Sequence, residues 1–451
     1  MAEQFACLNP ANRRNPIGHH KKPSAKAETR TVRPSPRLEG EIILPGDKSI
    51  SHRAVILNSL ARGEAEISNF GPGRDCVATV RCLRALGVRI DSRASQDPPT
   101  LLVSGAGEDG LKEAANVLNA QDSATTMRLL GGLLSGRPFL SVITGDVSLR
   151  GRPMDRLIEP LRLMGADISG RGGDSFAPLV IKGRKLSGID FTLSAPSAQI
   201  KSAILLAGLF ARSNTLLRQP TFSRDHTERL LRLMGAGLEI QGNLVSLLPL
   251  SSPLAPVSLR VPGDISSAAY FLVAGAVHPN ARIVVRKCGI NPTRTGIIDV
   301  LLAMGATLKT HNQCLEAGEP LADIVIESSE LKGIEVGGDI IPRLIDEIPV
   351  LAVAACVARG KTVIRDAGEL RVKESDRIAT VSSELSRLGA RIEPLPDGMV
   401  IYGGRPLSGT EVSSHFDHRL AMSLAVAALV SRGETTIKHA QAVQVSYPAF
   451  W

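Results

Sequence analysis

The chain has 451 residues, 43% hydrophobic and 22% charged, which is the composition of a soluble globular protein of one to three domains. Aromatic residues make up 3%, which argues against the stacking surfaces used to bind single-stranded nucleic acid. The formal net charge of +9 fits the binding of small polyanions, and no apolar run reaches the roughly 18 residues of a membrane span.

The N-terminal segment, residues 1–36, is predicted to be a disordered basic tail, because it is rich in Arg, Lys, Pro and Asn. It lacks the apolar core of a signal peptide, and an organelle transit peptide is the alternative. The six cysteines form no C-x-x-C pair. They are predicted to be reduced thiols of a cytoplasmic protein without a metal site.

The stretch 45–53 predicts an anion site. A short apolar strand precedes a Pro-Gly turn, and apolar residues then recur at helical spacing. Either Asp47 or Ser49 is expected to cap this helix. A helix N-terminus with free N–H groups, Lys48 and Arg53 is suited to a phosphate. An ordinary capped helix with solvated cations is the alternative reading of the spacing alone.

One phrase recurs along the chain: a helix end, a glycine and then a strand. The glycines are Gly87, Gly165, Gly235, Gly305 and Gly389. This predicts α/β repeats of about 70–80 residues. A second echo, between residues 44–49 and 261–266, predicts two halves of similar build. A sixth phrase would fall beyond Trp451, so the sixth repeat is expected to be incomplete.

Seven further segments occur in an order and spacing that, with residues 45–53, resemble the 5-enolpyruvylshikimate-3-phosphate synthase family over about residues 38–451. They are Gly151–Met154, Ser197–Gln199, Arg224–Glu228, Asn291–Gly296, Asp346–Glu347, Leu370–Arg377 and Asp417–Arg419. The resemblance implies a two-domain inside-out α/β barrel with six βαβαββ repeats. It implies a first domain at 47–262 and a second at 37–46 plus 263–451.

The resemblance implies transfer of the enolpyruvyl group of phosphoenolpyruvate to the 5-hydroxyl of shikimate 3-phosphate. Asp346, Glu374 and Lys48 are the implied catalytic residues. Asp346 precedes the apolar run 350–357, and a carboxylate at the mouth of a buried helix can have a raised pKa. Lys373, Glu374 and Arg377 are spaced to share one helix face, with a surface ion-pair cluster as the alternative. Ser197 precedes an apolar helical run and is a candidate helix cap. Shikimate 3-phosphate is expected to contact Lys48, Ser49, Arg53, Ser197, Gln199, Arg224, Asp346 and Lys373. Phosphoenolpyruvate is expected to contact Lys48, Ala124, Arg152, Gln199, Arg377 and Arg419. The expected enzyme is monomeric, has no cofactor or metal, and binds neither nucleic acid nor membrane.

Two departures from the family's pattern bear on activity. Gln121 and Asp122 replace part of a Gly-Asn loop, and Asp122 adds a negative charge near an anion site. Val445 stands where many members have lysine. In the same loop Ala124 replaces a glycine, and family members with alanine here tolerate glyphosate. The resemblance therefore predicts a glyphosate-insensitive enzyme, with neutral drift of a small residue as the alternative.

Three alternatives remain at this point. A sister enolpyruvyl transferase acts on UDP-N-acetylglucosamine, but it uses a loop cysteine and lacks the D-K-S-x-S-H-R motif. A nucleic-acid-binding scaffold would need aromatic platforms or a recognition helix. The third is a folded but inactive relative, because of Asp122 and the short C-terminus. Release of phosphate from shikimate 3-phosphate plus phosphoenolpyruvate separates all three.

Overall fold

The computed structural model describes residues 28–93, 98–107 and 109–451. In this part of the chain the strands form six small mixed sheets, five of four strands and one of three. Each four-stranded sheet has one parallel and two antiparallel pairings of neighbouring strands. The predicted α/β fold with six repeats, the last one smaller, is confirmed.

Three sheets form the first half. The first sheet has β3 (Arg62–Ser68), β4 (Arg89–Arg93), β5 (Thr100–Ala106) and the distant β14 (Leu259–Arg260), with α1 (Lys48–Leu60) and α2 (Arg74–Ala85). The second has β6 (Leu118–Asn119), β7 (Leu140–Thr144), β8 (Asp167–Arg171) and β9 (Phe176–Lys182), with α3 (Ala124–Ser135), α4 (Val147–Arg150) and α5 (Asp155–Leu163). The third has β10 (Asp190–Thr192), β11 (Thr215–Arg218), β12 (Leu238–Gln241) and β13 (Leu244–Leu247), with α6 (Ala198–Gly208) and α7 (His226–Leu233).

The other three sheets form the second half. The fourth sheet has β2 (Leu38–Ile43), β15 (Ala281–Gly289), β16 (Thr307–Glu316) and β17 (Glu319–Glu327), with α8 (Ile265–Val277) and α9 (Gly296–Ala303). The fifth has β18 (Glu335–Val336), β19 (Lys361–Ile364), β20 (Arg391–Leu395) and β21 (Gly398–Tyr402), with α10 (Ile341–Leu344), α11 (Ile348–Val357) and α12 (Arg377–Arg387). The sixth has β1 (Thr29–Val32), β22 (Glu411–Ser413) and β23 (Thr435–Lys438), with α13 (His418–Leu429). Short 3₁₀ segments lie at Gly338–Ile340, Gly368–Val372 and Ala440–Val445.

The strand β1 corrects one prediction. Residues 1–36 were expected to be a disordered tail, but Thr29–Val32 pairs antiparallel with β23, Thr29 lying opposite Lys438. Val32 also packs against the second hydrophobic core. The edge of β23 has unpaired backbone groups that β1 satisfies, and this provides the driving force. The rest of the predicted tail, residues 1–27, lies outside the described residues.

The described apolar residues form two separate cores. One contains buried residues between Ile50 and Val261, and the other contains Leu44 and residues from Ile265 to Tyr447. Central helices such as α1, α8, α11 and α13 are buried on nearly all sides, while the strands present one exposed face. Helices inside sheets are what the predicted barrel requires. The domain boundaries at 46/47 and 262/263 stay a prediction.

The glycines of the repeated phrase end their helices as predicted. All five have positive φ, between 87° and 97°. This left-handed conformation carries no steric cost for glycine and closes each helix so that the chain can turn into the next strand.

The chain crosses between the halves at two equivalent turns. The Asp47 N–H donates to the Pro262 carbonyl at 2.8 Å, and the Asp264 N–H donates to the Pro45 carbonyl at 3.1 Å. Arg294, which is 2% exposed, lies between the two aspartates, with Nη1 3.0 Å from Asp47 and Nη2 3.5 Å from Asp264. The two similar segments, 44–49 and 261–266, therefore lie side by side, and the buried Arg294 contacts an aspartate in each. Across the described ranges, every helix is too short or too polar to span a bilayer.

Candidate active site

Several helices begin where charged side chains of the two halves meet, at Arg152 and Glu374 and at Arg224 and Asp346. We call this partly exposed region the cleft. The Asp47 carboxylate accepts from the Ile50 N–H at 2.9 Å, so Asp47 rather than Ser49 caps α1. The Ser49 hydroxyl is left to accept from Arg224 Nη1 at 3.4 Å. Ser197 caps α6, as its position before an apolar run predicted, and accepts from the Ile200 N–H at 3.4 Å.

Asp346 is the meeting point of three arginines from both halves. Its carboxylate lies 2.5 Å from Arg224 Nη2, 3.4 Å from Arg377 Nη1 and 3.5 Å from Arg419 Nη2. Burial alone would raise the pKa of Asp346, but Arg419, Arg224 and the other nearby cations hold that pKa well below the usual aspartate value. The sequence indicated a raised pKa at this buried helix mouth. That expectation is wrong, because the cations outweigh the burial.

Glu374 is the second carboxylate of the cleft. It lies 2.6 Å from Arg377 Nη2 and 3.1 Å from Arg152 Nη2, which comes from the other half. Burial opposes its ionisation, yet Arg377 and Arg152 hold the pKa of Glu374 well below the usual glutamate value. Arg377 therefore joins the two candidate catalytic carboxylates, Asp346 and Glu374, through one guanidinium.

The predicted shared helix face of Lys373, Glu374 and Arg377 is not found. The Asp376 side chain accepts from the Ala379 N–H at 3.0 Å and caps α12, so the helix starts only at Arg377. Lys373 and Glu374 precede it in a turn. Burial lowers the pKa of Lys373, a shift that Asp346 opposes.

Arg377 is held from behind by a residue that the sequence reasoning gave no role. The Asp417 carboxylate, completely buried, accepts from Arg377 Nε at 2.8 Å. Asp417 also caps α13 by accepting from the Arg419 N–H at 2.9 Å. Asp417 thus contacts two of the three arginines of the predicted phosphoenolpyruvate site, Arg377 and Arg419. The sequence signal for Asp417 was its position two residues before Arg419 in the segment Asp417–Arg419.

Lys48 points to a carboxylate that the sequence did not single out. Its Nζ lies 2.7 Å from Asp75, the second residue of α2. Burial opposes the charge of Lys48, but Asp75 raises its pKa above the usual lysine value. Asp75 also lies with His52 and Cys76 in a group whose ligand-type atoms are within 4.8 Å of one another. In this group the cation that the carboxylate contacts is the Lys48 ammonium.

Arg53 is buried. It is 3% exposed, and its guanidinium donates to Thr227 at 2.6 Å, Ser202 at 2.8 Å and the Ser49 carbonyl at 3.0 Å. These bonds use three of its five N–H groups. Arg53 therefore stabilises the start of α1, and two of its N–H groups remain available to a ligand.

The loop before α3 carries the candidate specificity residue. Ala124 begins α3 and is 6% exposed. The neighbouring Thr125 hydroxyl accepts from Gln199 Nε2 at 2.9 Å, and the Gln199 side-chain oxygen Oε1 accepts from Arg128 Nη1 at 2.7 Å. Arg128 was missed, although it lies in the same loop-and-helix segment as Ala124. Gln199 thus joins α6 to α3.

Gln121 and Asp122, two departures from the family pattern, shortly precede Ala124 in the chain. Burial raises the pKa of Asp122 above its usual value, and its Oδ1 is buried without a hydrogen-bond partner. Gln121 has φ of 53°, in the left-handed region.

The chain is similar to known proteins over most of its length. The family described as EPSP synthase (3-phosphoshikimate 1-carboxyvinyltransferase) matches residues 32–451. A 3-phosphoshikimate 1-carboxyvinyltransferase of Herpetosiphon aurantiacus is 53% identical over 423 residues, covering 93% of this chain and 97% of its own. That of Chloroflexus aurantiacus is 54% identical over 419 residues, covering 92% and 95%. A solved structure of EPSP synthase from Acinetobacter baumannii superposes with a TM-score of 0.83 at 42% identity, covering 94% and 96%.

Proposed function

Because the chain belongs to the EPSP synthase family and is a 3-phosphoshikimate 1-carboxyvinyltransferase of the shikimate pathway, we propose how its cleft divides the two substrates. Shikimate 3-phosphate contacts Lys48, Ser49, Arg53, Ser197, Gln199, Arg224, Asp346 and Lys373. Phosphoenolpyruvate contacts Lys48, Ala124, Arg152, Gln199, Arg377 and Arg419. The observation that carries the proposal is that Arg377 contacts both carboxylates, Asp346 and Glu374.

The two carboxylates have separate tasks in the transfer. Asp346 accepts the proton of the 5-hydroxyl while that oxygen attacks C2 of phosphoenolpyruvate. Glu374 supplies a proton to the methylene carbon, and a tetrahedral intermediate forms. Glu374 then takes a proton back from the new methyl group as the C–O bond to phosphate breaks. The proton held by Asp346 leaves with the phosphate, so both carboxylates return to their starting states. The depressed pKa of Asp346 keeps this base ionised at neutral pH.

Glu374 needs its pKa to rise before it can act as an acid. Arg377 and Arg152 now hold that pKa low. A bound phosphoenolpyruvate, with its carboxylate and phosphate, shares those two guanidiniums and reduces their attraction for Glu374. Its buried position then favours the protonated form. Binding of the substrate therefore prepares the acid.

Separate ligand titrations test the division. Arg377→Ala should weaken phosphoenolpyruvate binding and Arg53→Ala should weaken shikimate 3-phosphate binding, each by about 1.5–3 kcal/mol for a charged hydrogen bond. Arg156→Ala is the matched control, because its bond to Glu369 also joins the halves but both side chains are nearly half exposed. Equal losses of both ligands in both variants would refute the division.

We also propose that Ala124 makes the enzyme tolerant of glyphosate. Ala124 starts the helix whose next residue bonds to Gln199, so its methyl group narrows the phosphoenolpyruvate side of the cleft. Glyphosate is longer than phosphoenolpyruvate and bears most of the steric cost. An added carbon in a packed site costs about 1–3 kcal/mol, or roughly 5- to 150-fold in affinity.

The inhibition constant for glyphosate tests the role of Ala124. Ala124→Gly should lower it by about 5- to 150-fold. Ala198→Gly is the control, because Ala198 is likewise the first residue of its helix, α6. An Ala124→Gly enzyme as tolerant as the wild type would reject the proposal and direct attention to Gln121 and Asp122.

The remaining parts of the proposal concern the setting of the reaction. We infer a monomeric cytoplasmic enzyme that works on small molecules without a metal, a cofactor, nucleic acid or a membrane. Activity that a chelator abolished and a divalent metal restored would contradict the metal-free mechanism.

A further inference from the structure

A run of buried hydroxyls connects three helices behind the cleft. His52 Nδ1 on α1 lies 2.6 Å from the Thr79 hydroxyl on α2, which lies 2.7 Å from the Thr126 hydroxyl on α3. The Thr126 hydroxyl donates to the Ser123 hydroxyl at 2.7 Å. The first three side chains are completely buried and Ser123 is 2% exposed.

The run is directed from His52 to Ser123 when the Thr126 hydroxyl donates to Ser123; this hydroxyl also lies 3.3 Å from the Asp75 carbonyl. The Thr126 hydrogen goes to Ser123, so the Thr126 oxygen accepts from Thr79, and the Thr79 oxygen accepts from the His52 Nδ1–H. Burial lowers the pKa of His52 to about 4, so this imidazole is neutral near pH 7 and has one N–H to give. Its Nε2 is buried without a partner. The chain of donors therefore starts at His52 and ends at Ser123.

Each end of the run holds a part of the cleft. His52 lies one helical turn after Lys48 on α1, and Thr79 lies one turn after Asp75, whose carboxylate holds the Lys48 ammonium at 2.7 Å. Ser123 caps α3 by accepting from the Thr126 N–H at 3.1 Å, and Ala124 follows it directly. The hydroxyls thus connect the element carrying Lys48 to the helix start carrying Ala124.

We propose that the hydroxyls of Thr79 and Thr126 are positioning groups that set the separation between Lys48 and the N-terminus of α3. This separation fixes the width of the phosphoenolpyruvate half of the cleft, so the two hydroxyls set the affinity for that substrate. The inference rests on the proposed division of the substrates. Neither threonine touches a substrate; they act through Lys48, Ser123 and Ala124.

Valine substitutions remove the hydroxyls while keeping the side-chain shape. Thr79→Val and Thr126→Val should each raise the KM for phosphoenolpyruvate about 3- to 10-fold, the effect of losing one buried hydrogen bond. The KM for shikimate 3-phosphate should change less than about twofold, because Lys48 is the only one of its eight proposed contacts that lies at an end of the run. Thr79→Ser and Thr126→Ser keep a hydroxyl and should restore the KM for phosphoenolpyruvate.

Thr215→Val is the matched control. Thr215 is completely buried in β11 of the same half, and its hydroxyl has no hydrogen-bond partner. Its valine variant should keep both KM values. Melting temperatures of all the variants separate a loss of affinity from a loss of folded protein. Equal changes in both KM values, failure of the serine variants to restore binding, or the same change in Thr215→Val would overturn the inference.

The result also separates this inference from the division of substrates. If Arg377→Ala weakens phosphoenolpyruvate selectively and Thr79→Val does not, only the positioning role is overturned. If Thr79→Val is selective and Arg377→Ala is not, the assignment of Arg377 is overturned and the positioning role stands.

Discussion

Arg377 is one buried side chain that contacts both proposed catalytic carboxylates, Asp346 and Glu374. It is 1% exposed and its charge is balanced by Asp417 behind it and by Glu374 and Asp346 in front. A buried charge is tolerated only when it is fully paired, so removal of any partner leaves an uncompensated charge. Glu374 and Asp346 contact Arg377 on the side opposite Asp417. A bound anion can therefore compete with these two carboxylates for the Arg377 guanidinium.

The pKa values of two buried histidines, His52 and His418, predict that the stability of the fold depends on pH. Burial lowers the pKa of His52 and of His418 to about 4, whereas an unfolded histidine titrates near 6.5. Between these values the unfolded chain binds more protons, so stability is lost as the pH falls from about 6.5 to 4. Each histidine accounts for roughly 2 kcal/mol between pH 7 and pH 5.

Asp264 opposes this loss in part. Burial and then Asp47 raise the pKa of Asp264 to about 6, so the folded state gains a proton in the same range, worth roughly 1 kcal/mol. The net loss of unfolding free energy is therefore about 2–3 kcal/mol. Urea denaturation at pH 7, 6 and 5 measures it. His418→Gln should remove about half of the loss caused by the histidines, and an unchanged pH profile in that variant would contradict the account.

The sequence motifs predicted which residues lie together in the site, but not the neighbouring residues that hold them in place. Asp346, Glu374 and Arg377 were assigned to the site from their own segments, and the structure brings them together. Asp75, Arg128 and the Asp376 cap were missed. Each acts through a partner whose identity depends on tertiary packing or on cap geometry, and an acidic or basic residue in a helical pattern is usually a solvated surface group.

At the scale of elements, α1 and α8 are related helices that start side by side. Each is capped by its own aspartate, Asp47 accepting from Ile50 and Asp264 from Ser266. Arg294 lies between the two caps and also donates to the Ser266 hydroxyl at 2.8 Å. Its single charge compensates two buried carboxylates at the point where the chain crosses between the halves.

Arg294→Met should be among the most destabilising single changes in the molecule. Loss of the cation leaves Asp47 and Asp264 buried without it, which costs about 3–5 kcal/mol at pH 7. The cost should be smaller at pH 5, because protonation of Asp264 relieves the repulsion. Chemical denaturation at the two pH values measures both effects.

Arg282→Met provides the comparison for Arg294. Arg282 pairs with Glu327 at 3.2 Å on the surface, where both side chains are about half exposed. Such a pair contributes about 0–1 kcal/mol. Comparable destabilisation by the two substitutions would show that Arg294 is no more than a surface-type ion pair.

At the scale of the whole molecule, distant segments close the sheets. β14 completes the first sheet, β2 completes the fourth and β1 completes the sixth. The repeats were predictable because their helix ends carry local glycine signals. The pairing of β1 with β23 was not, because Thr29–Val32 shows no local pattern of its own and its partner lies some 400 residues later.

A chain that begins at Arg33 tests the value of β1. It should unfold with a free energy lower by about 1–2 kcal/mol than a chain that begins at Glu28, because Val32 loses its burial and β23 loses a partner. Urea midpoints and slopes of the two chains give the difference. Coincident curves would mean that β1 only covers the sheet edge without stabilising it.

The completion of the fourth sheet by β2 has a consequence during synthesis of the protein. β2 leaves the ribosome early, but its parallel partner is β15, with Leu38 opposite Ala281. At a translation rate of about 5–20 residues per second, β2 waits roughly 10–50 s for that partner. Throughout this interval Ile42 and Ile43 lie on an unpaired strand that other nascent chains can join. Slower translation should therefore lengthen the exposure of β2 and raise the dependence of the yield on a holding chaperone.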